Sequence, residues 1–414
     1  MVAVRNSTVS KMSAGHDKPL EIANWSAIYA MSLCSFVLVA SEFMPVSLLS
    51  PMASSLALSE GEAGRTIAAS GFLAVLTSLS IGRLTRTMPR QHVLLLLTCL
   101  LVVSGSLVAS AVSYPMLMVG RALLGIAIGG FWSMSAAVAM RLVPVRDVPR
   151  ALAIVNGGNA IAMTLAAPIG SFLGGWIGWR GAFWCLVPLG VLAVVWQFCS
   201  LPQMPPERKE YAKGVVALLR FPPVLVGLVT VALLFIGQFV LFTYLRPFLE
   251  QVTGVSITWL STLLLVLGAS GFIGTILVGR IVAGRVFQLL AILPLVMAVA
   301  AFALSGLGAS LPFTVCLLAI WGFTATAAPV VWWTWLARTV PENAEAGGGL
   351  LVAVIQVAIT VGATLGGVIF DALGAVPDFI FSGIILCFAA AAAVFLKRFQ
   401  TRFARHREIA LKFD

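Results

Sequence analysis

Charge is what this chain of 414 residues has least of. Only 10% of its residues are Asp, Glu, Lys or Arg, while 60% are hydrophobic, against about a quarter and about half in soluble domains. That deficit excludes a water-soluble globule. Histidine is scarce as well, with only His16, His92 and His406, all in or beside polar segments, so no metal cluster is visible. The six cysteines, Cys34, Cys99, Cys185, Cys199, Cys316 and Cys387, fall within apolar runs and form no CxxC pair. They read as small packing residues, which excludes a disulfide framework and a zinc site. The ATP-binding pattern GxxxxGK[ST] is missing, so any work the protein does must draw on a gradient. Without a Ser-His-Asp set, paired carboxylates or a metal constellation, an enzyme reading has nothing to stand on, and no cofactor is expected. The first 24 residues lack a signal-peptide apolar core, so the first span is expected to drive insertion.

What the chain does have is apolar runs, recurring from Trp25 to Leu396. Each divides into pieces near the ~20 residues that cross about 30 Å of hydrocarbon. The polar alternation of membrane strands is absent, so the spans are helices. Twelve are expected, at 25–49, 65–83, 92–112, 115–140, 151–176, 182–200, 223–248, 258–279, 287–307, 312–337, 348–371 and 379–396. The fold class is therefore an all-α membrane protein of two pseudo-symmetric six-helix bundles. Residues 1–24 form an N-terminal segment, 25–200 the first bundle, 201–222 a linker, 223–396 the second bundle and 397–414 a basic tail.

The net charge of +11 invites a nucleic-acid reading, which the positions of the basic residues exclude. If both ends are cytoplasmic, all 26 Lys and Arg but Arg65, Arg121, Arg180 and Arg246 lie in inner segments. This is the positive-inside pattern, and the charge reports topology and lipid contact.

The halves resemble each other. "SEFMPVSLLSPM" (41–52) lies over "GQFVLFTYLRPF" (237–248) at an offset of 196, pairing Glu42 with Gln238 and Pro51 with Pro247. "ASGF" occurs at 69–72 and 269–272, and "MRLVP" (140–144) answers "ARTVP" (337–341) at an offset of 197, which also matches Asn159 with Gln356 and Gly170 with Gly367. Six spans per half give a parallel repeat, with a substrate site expected between the halves near the bilayer midplane. Gly125 and Gly129 in "GRALLGIAIGG" (120–130) stand at the spacing that lets membrane helices approach closely.

Glu42 is the acid that lies clearly within a span, whereas Asp371 closes the eleventh. An intramembrane carboxylate costs a few kcal/mol and is by default functional. Helix rise places Glu42 about 25 Å beyond Trp25 and Arg121 about 10 Å in from Tyr114, a shared depth in the outer half. Facing a common space, Arg121 would favour the ionised acid while desolvation opposed it, leaving a group able to load and release a proton. Alternatively Glu42 reaches headgroup water or pins two helices, and Arg121 clamps helix backbones with its planar fork. Asn156, Asn159, Gln238 and Gln356 carry carboxamides able to read a neutral heterocycle or sugar, or to bond neighbouring helices. Trp132 and Trp321 are candidate stacking surfaces. The tryptophans of "VVWWTWLAR" (330–338) fit an interfacial aromatic belt.

At these residues the chain resembles the major facilitator superfamily, in its bacterial drug/proton antiporter branch. "GRALLGIAIGG" resembles that family's fourth-helix signature, with Arg121 at its arginine and Gly125 following. "AAPIGSFLGGWIGWRGAFW" (166–184) resembles the fifth-helix antiporter signature, with Pro168 and Gly170 at the matching places. The loop "GRLTRTMPRQ" (82–91) departs from the pattern, with Arg86 for the acid and Pro89 for a glycine, which leaves open whether this loop acts as the acid-centred inner gate that the resemblance implies. "NWSAI" (24–28), "EFMPVSLLSPMA" (42–53), "GGFWSMSAAVAMRLVP" (129–144), "GQFVLFTYLRP" (237–247) and "AVIQVAITVGATLGG" (353–367) look like purine ribonucleoside efflux permeases. The resemblance implies export of inosine- or guanosine-like solutes against protons, by a protein of the bacterial inner membrane. Protons, a small-molecule substrate and membrane lipids are the partners expected, with a monomer as the working unit. A sugar or multidrug exporter, and a solute sensor that moves nothing, are the alternatives.

Overall fold

The structure, a computed structural model, describes residues 23–205, 218–340 and 344–413. Most of the segment expected at 1–24, the middle of the linker, and Lys11, Lys18, Lys209 and Lys213 lie outside the described residues. Within them the chain is helical and no strand occurs. The first bundle contains α1 (Trp25–Leu56), α2 (Glu60–Leu84), α3 (Arg90–Ala109), α4 (Tyr114–Met140) and α5 (Val148–Ser200). The second contains α6 (Pro222–Thr243), the short α7 (Leu245–Phe248), α8 (Ile257–Leu307), α9 (Leu311–Thr339), α10 (Ala344–Leu373) and α11 (Ala375–Phe413).

Ten of these helices are long and apolar enough to cross a bilayer. Two of them, α5 with 53 residues and α8 with 51, are far too long for one crossing. Each is broken where a loop is expected from the sequence. Gly178, at φ 76° and ψ 163°, breaks α5 in a backbone region open to glycine, and Arg285, at φ −133° and ψ 22°, breaks α8. Counting both halves of each gives the twelve spans. One face of the protein, here the terminal face, carries Asn24, residues 85–89, 141–147 and Arg285. The far face carries 57–59, 110–113, Gly178, 244–256 and Gly374.

Local chemistry sets the helix starts. Asn24 accepts the Ala27 N–H at 3.1 Å and donates to the Ser200 carbonyl at 2.7 Å, tying the beginning of α1 to the end of α5. Ser59 and Glu62 form a reciprocal capping box on α2. Ser256 caps α8.

Small residues bring the helices together in a repeated pattern. A Cβ on Gly125 would meet the Ser70 carbonyl oxygen at 2.2 Å, and one on Gly322, 197 positions later, would meet that of Leu267 at 2.1 Å. Gly129 stands likewise on Ala74, at 2.1 Å. Between the halves, Gly71 packs on Gln356 and Thr360 of α10, while Gly268 packs on the Thr164 carbonyl of α5. Equivalence thus runs through Gly71 and Gly268, and the two "ASGF" stretches, 200 apart, stand one helical turn out of register. Gly125→Leu is expected to destabilise the protein by about 1–3 kcal/mol or more, because backbone carbonyls cannot yield. A lowered Tm in detergent checks this, with Gly157→Ala, whose Cβ would meet nothing within 4 Å, as the unaffected control.

Three expectations need correction. Cys34 is buried, but Cys99, Cys185, Cys199, Cys316 and Cys387 are exposed, so most of the thiols stand on the surface of their helices and do not fill the core. Trp332 and Trp335 are buried and meet edge to face at 5.4 Å, because Gly227 leaves room for the Trp335 ring; of the expected belt, Trp333 alone is exposed at 44%. Asp378, at the start of α11, is buried at 0% exposure, so Glu42 is not the sole acid inside the fold.

Every side-chain hydrogen bond that joins the halves among the described residues lies at the level of Glu42 or on the far face. The partners are Ser59 and Gly61 with Asp371, Ser47 with Arg246, Ser171 with Ser261, Glu42 with Gln356, and Ala68 with Thr360. Toward the terminal face, Gly82, Gly157 and Gly279 border open space. Among the described residues, the side-chain hydrogen bonds that hold the halves together therefore gather on the far face and at the level of Glu42.

Candidate transport site

α1 carries two internal prolines, Pro45 and Pro51. Lacking an N–H, each leaves the carbonyl four residues earlier without its helical donor. Those carbonyls belong to Ser41 and Ser47, and a buried arginine takes each. Arg121 NH1 donates to the Ser41 carbonyl at 2.7 Å, and Arg246 NH1 donates to that of Ser47.

Arg121 does more than this. Its NH2 donates to the Glu42 backbone carbonyl at 3.1 Å and to Ser70 Oγ at 3.0 Å, and its Nε to the Thr66 carbonyl at 3.0 Å. The guanidinium, at 0% exposure, thus fastens α4 to α1 and α2 through acceptors in its own plane. Arg121 and Glu42 do share a depth, as helix rise indicates. They form no ion pair, because the fork is spent on backbone oxygens and Ser70.

The Glu42 carboxylate instead meets the other half of the protein. Its Oε1 accepts the Gln356 Nε2–H at 3.2 Å, linking α1 to α10. Gln356 Oε1 is buried without a partner, and so is Gln238 Oε1 on α6. Both residues are almost enclosed, at 7% and 6% exposure, which makes two unpaired amide acceptors in the second half, that of Gln356 on the side chain that holds the Glu42 carboxylate.

Phenylalanines complete the surroundings. Phe43 meets Phe239 at 5.8 Å and Phe242 at 6.4 Å, while Phe239 lies 6.5 Å from Phe235 in near-parallel stacking. Phe43 and Phe239 are repeat partners, 196 positions apart, so their contact marks the pseudo-twofold axis. Their neighbours Glu42 and Gln238 flank that axis. The matched dipeptides "EF" (42–43) and "QF" (238–239) carried this signal, and the aromatic half of it goes unused in a search for tryptophan.

The remaining candidates separate. Asn159 is half-buried and makes no hydrogen bond to the protein, whereas Asn156 is exposed and donates to its own Leu152 carbonyl at 2.8 Å. At i and i+3 they share a helix face. Trp132 is half-buried, edge-on to Phe131 at 5.4 Å. By helix rise all three lie about 12–18 Å in from the terminal ends of α4 and α5, nearer the terminal face than Glu42. Trp321 offers no stacking surface: the close approach of Gly322 to α8 buries its ring to 0% exposure. Gly170 packs against Ser47 and Met44 of α1, and Pro168, lacking an N–H, leaves without a helical donor the Thr164 carbonyl that Gly268 approaches. The 82–91 loop turns back on its own half, where the Arg90 N–H donates to the Met204 carbonyl at 3.0 Å and Arg90 NH1 to Thr85 Oγ1 at 3.2 Å. An apolar groove of about 250 Å³ between α8 and α9, lined by Leu295, Val299, Leu317 and Ile320, presents no polar group to a solute.

Comparison with known proteins agrees with this architecture. The profile of the Major Facilitator Superfamily matches residues 31–349. A Pseudomonas aeruginosa protein named "Transcription regulatory protein OpdE" is 51% identical over 395 residues, covering 94% of this chain and 98% of its own. A Shigella sonnei protein named "Purine ribonucleoside efflux pump NepI" is 41% identical over 367 residues, covering 89% and 93%. Among solved structures, an inward-facing, unoccupied bacterial homolog of the human lysosomal transporter Spinster superposes with a TM-score of 0.74 at 16% identity, covering 91% of this chain and 97% of its own. A D-xylose-proton symporter superposes at 0.72 with 17% identity, covering 91% and 97%.

Proposed function

This chain belongs to the major facilitator superfamily and is a multi-pass membrane transporter, and we propose from that premise that it is a proton-coupled antiporter exporting purine ribonucleosides. One observation carries the reading. The Glu42 carboxylate is buried at the axis and held by Gln356 from the opposite half, so its charge bears on how the halves meet. A purine supplies what the surroundings lack. Its N–H groups suit the unpaired Gln238 and Gln356 oxygens, and its flat face suits the Phe43–Phe239–Phe242 cluster. Asn159 and Trp132 then line the approach from the terminal face. With the chain ends in the cytoplasm, as the basic residues indicate, that face admits solute from inside. The name of the 41% relative supports the same substrate class.

The test is uptake of labelled inosine into inverted vesicles under an imposed pH step. Competition by guanosine, with none by arabinose or lipophilic cations, is the expected result; the reverse order would move the protein to the sugar or drug exporters. Gln238→Leu is expected to weaken stabilisation by inosine about three- to tenfold in apparent Kd, the size of one neutral hydrogen bond. Thermal shift of the purified protein measures it.

A sensing role is the second reading, favoured by the regulatory name of the 51% relative. A sensor would show inosine-dependent stabilisation with no flux in the same vesicles.

A further inference from the structure

On the far face two charged side chains of the second half end on backbone groups of the first. Arg246, following α6, is 4% exposed and donates through NH1 to the Ser47 carbonyl, while its Nε pairs with Glu250 at 2.8 Å. The Ser47 oxygen is open to it because Pro51 supplies no helical donor. Asp371, near the end of α10, addresses the start of α2. Its Oδ1 accepts the Gly61 N–H at 2.9 Å and its Oδ2 accepts Ser59 Oγ–H at 2.6 Å.

A helix start has N–H groups without intrahelical partners and carries the positive end of the dipole. The capping box uses the Ser59 and Glu62 N–H groups, which leaves that of Gly61 for Asp371. Gly61 has no room for a side chain, since a Cβ would lie 2.2 Å from Asp371 Oδ2 and 2.7 Å from the Gly367 carbonyl. Tyr244 is wedged between Gly64 and Gly367 beside this contact, its hydroxyl donating to the Ala363 carbonyl at 2.9 Å.

We propose that Arg246 and Asp371 form a two-pronged latch that holds the far face shut, a cation on the proline-freed carbonyl of α1 and an anion on the Gly61 N–H that the capping box of α2 leaves over. Parting the halves there strips the Ser47 carbonyl of α1 and the Gly61 N–H of α2 of their partners, and leaves the Arg246 guanidinium with Glu250 alone. The first half thus spends backbone groups that its own helices cannot satisfy, and the second half completes them only in the closed state. Latch strength sets the balance between the two open forms, whatever solute is carried and whatever drives it.

The test reads closure directly and needs no knowledge of substrate. In a background with the natural cysteines replaced by alanine, Ser171→Cys and Ser261→Cys place thiols across the other seam of the far face, where the parent hydroxyls are 3.0 Å apart. Disulfide yield at fixed oxidant exposure is expected to be high with the latch intact. It should fall about tenfold in Asp371→Ala and in Arg246→Gln, the population shift expected when a cap or a charged backbone contact is lost. Pro51→Ala restores an N–H to the helix and so takes the Ser47 carbonyl from Arg246, and it should lower the yield without lowering Tm. Gly61→Ala should act as Asp371→Ala does, with the carboxylate still present. Unchanged yield in variants that remain monodisperse, or a lower Tm with unchanged yield, would overturn the latch and leave the transport reading untouched.

Discussion

Glu42→Gln is expected to abolish pH-driven inosine transport while leaving inosine exchange intact. The substitution is nearly isosteric, and its amide oxygen can still accept the Gln356 Nε2–H that Glu42 Oε1 accepts at 3.2 Å. What it removes is titration. A carboxyl group cycles between a charged form that only accepts hydrogen bonds and a neutral form that also donates one, and an amide does not. If Glu42 carries the proton, the variant in proteoliposomes should respond to a pH step no more than liposomes without protein do. Exchange of labelled for unlabelled inosine at equal pH needs only binding and alternation, so it should persist near the parent rate. Glu42→Asp keeps the charge but withdraws it by one methylene from Gln356, and it should retain a reduced response. A full response to the pH step in Glu42→Gln would remove Glu42 from the coupling and return it to the role of a helix pin.

The fold was legible because its signals are long and physical: apolar runs of bilayer length, basic residues on one side, and a repeat near 197 residues. Gly125 and Gly129 were legible as contact points because small residues at helical spacing have few other uses in a membrane. The site was legible in part. A carboxylate among apolar residues draws notice wherever it falls, and the repeat itself offered Gln238 as its counterpart. Sequence could not say that Gln356 would be its partner, since which side chains meet across the halves depends on how far they have rocked. Trp321 and Trp132 look alike in sequence, and what separates them is the approach of Gly322 to α8, a matter of packing. Asp378 is not legible as a buried acid because four residues past Gly374 it reads as a helix start in a loop, and only the docking of α11 encloses it. The prolines are a different case. Ser41 with Pro45 and Ser47 with Pro51 announce two orphaned carbonyls in one helix, and a buried arginine is the donor suited to each. That signal was open to reading from the chain alone.

Arg121→Ala is expected to cost about 2–4 kcal/mol of stability, the balance of several charge-assisted hydrogen bonds lost against a buried charge no longer paid for. The deficit falls unevenly on the acceptors. The carbonyls of Glu42 and Thr66 retain helical donors, whereas that of Ser41 has none, since Pro45 stands four residues on. Arg121→Lys should behave nearly as badly despite its charge, because one ammonium cannot reach acceptors on both α1 and α2 in the spread that the planar fork spans. The decisive measurement is a cycle with Pro45→Ala. Alone, that change gives the Ser41 carbonyl a helical donor and makes one Arg121 bond redundant. Combined with Arg121→Ala it should recover about 1 kcal/mol of the loss, the worth of one satisfied buried acceptor, read as a partial return of Tm in detergent. Strict additivity of the two changes would show that the Ser41 carbonyl is not what Arg121 serves. A ruined pH response with unaltered Tm in Arg121→Ala would put its charge, acting on Glu42, ahead of its hydrogen bonds.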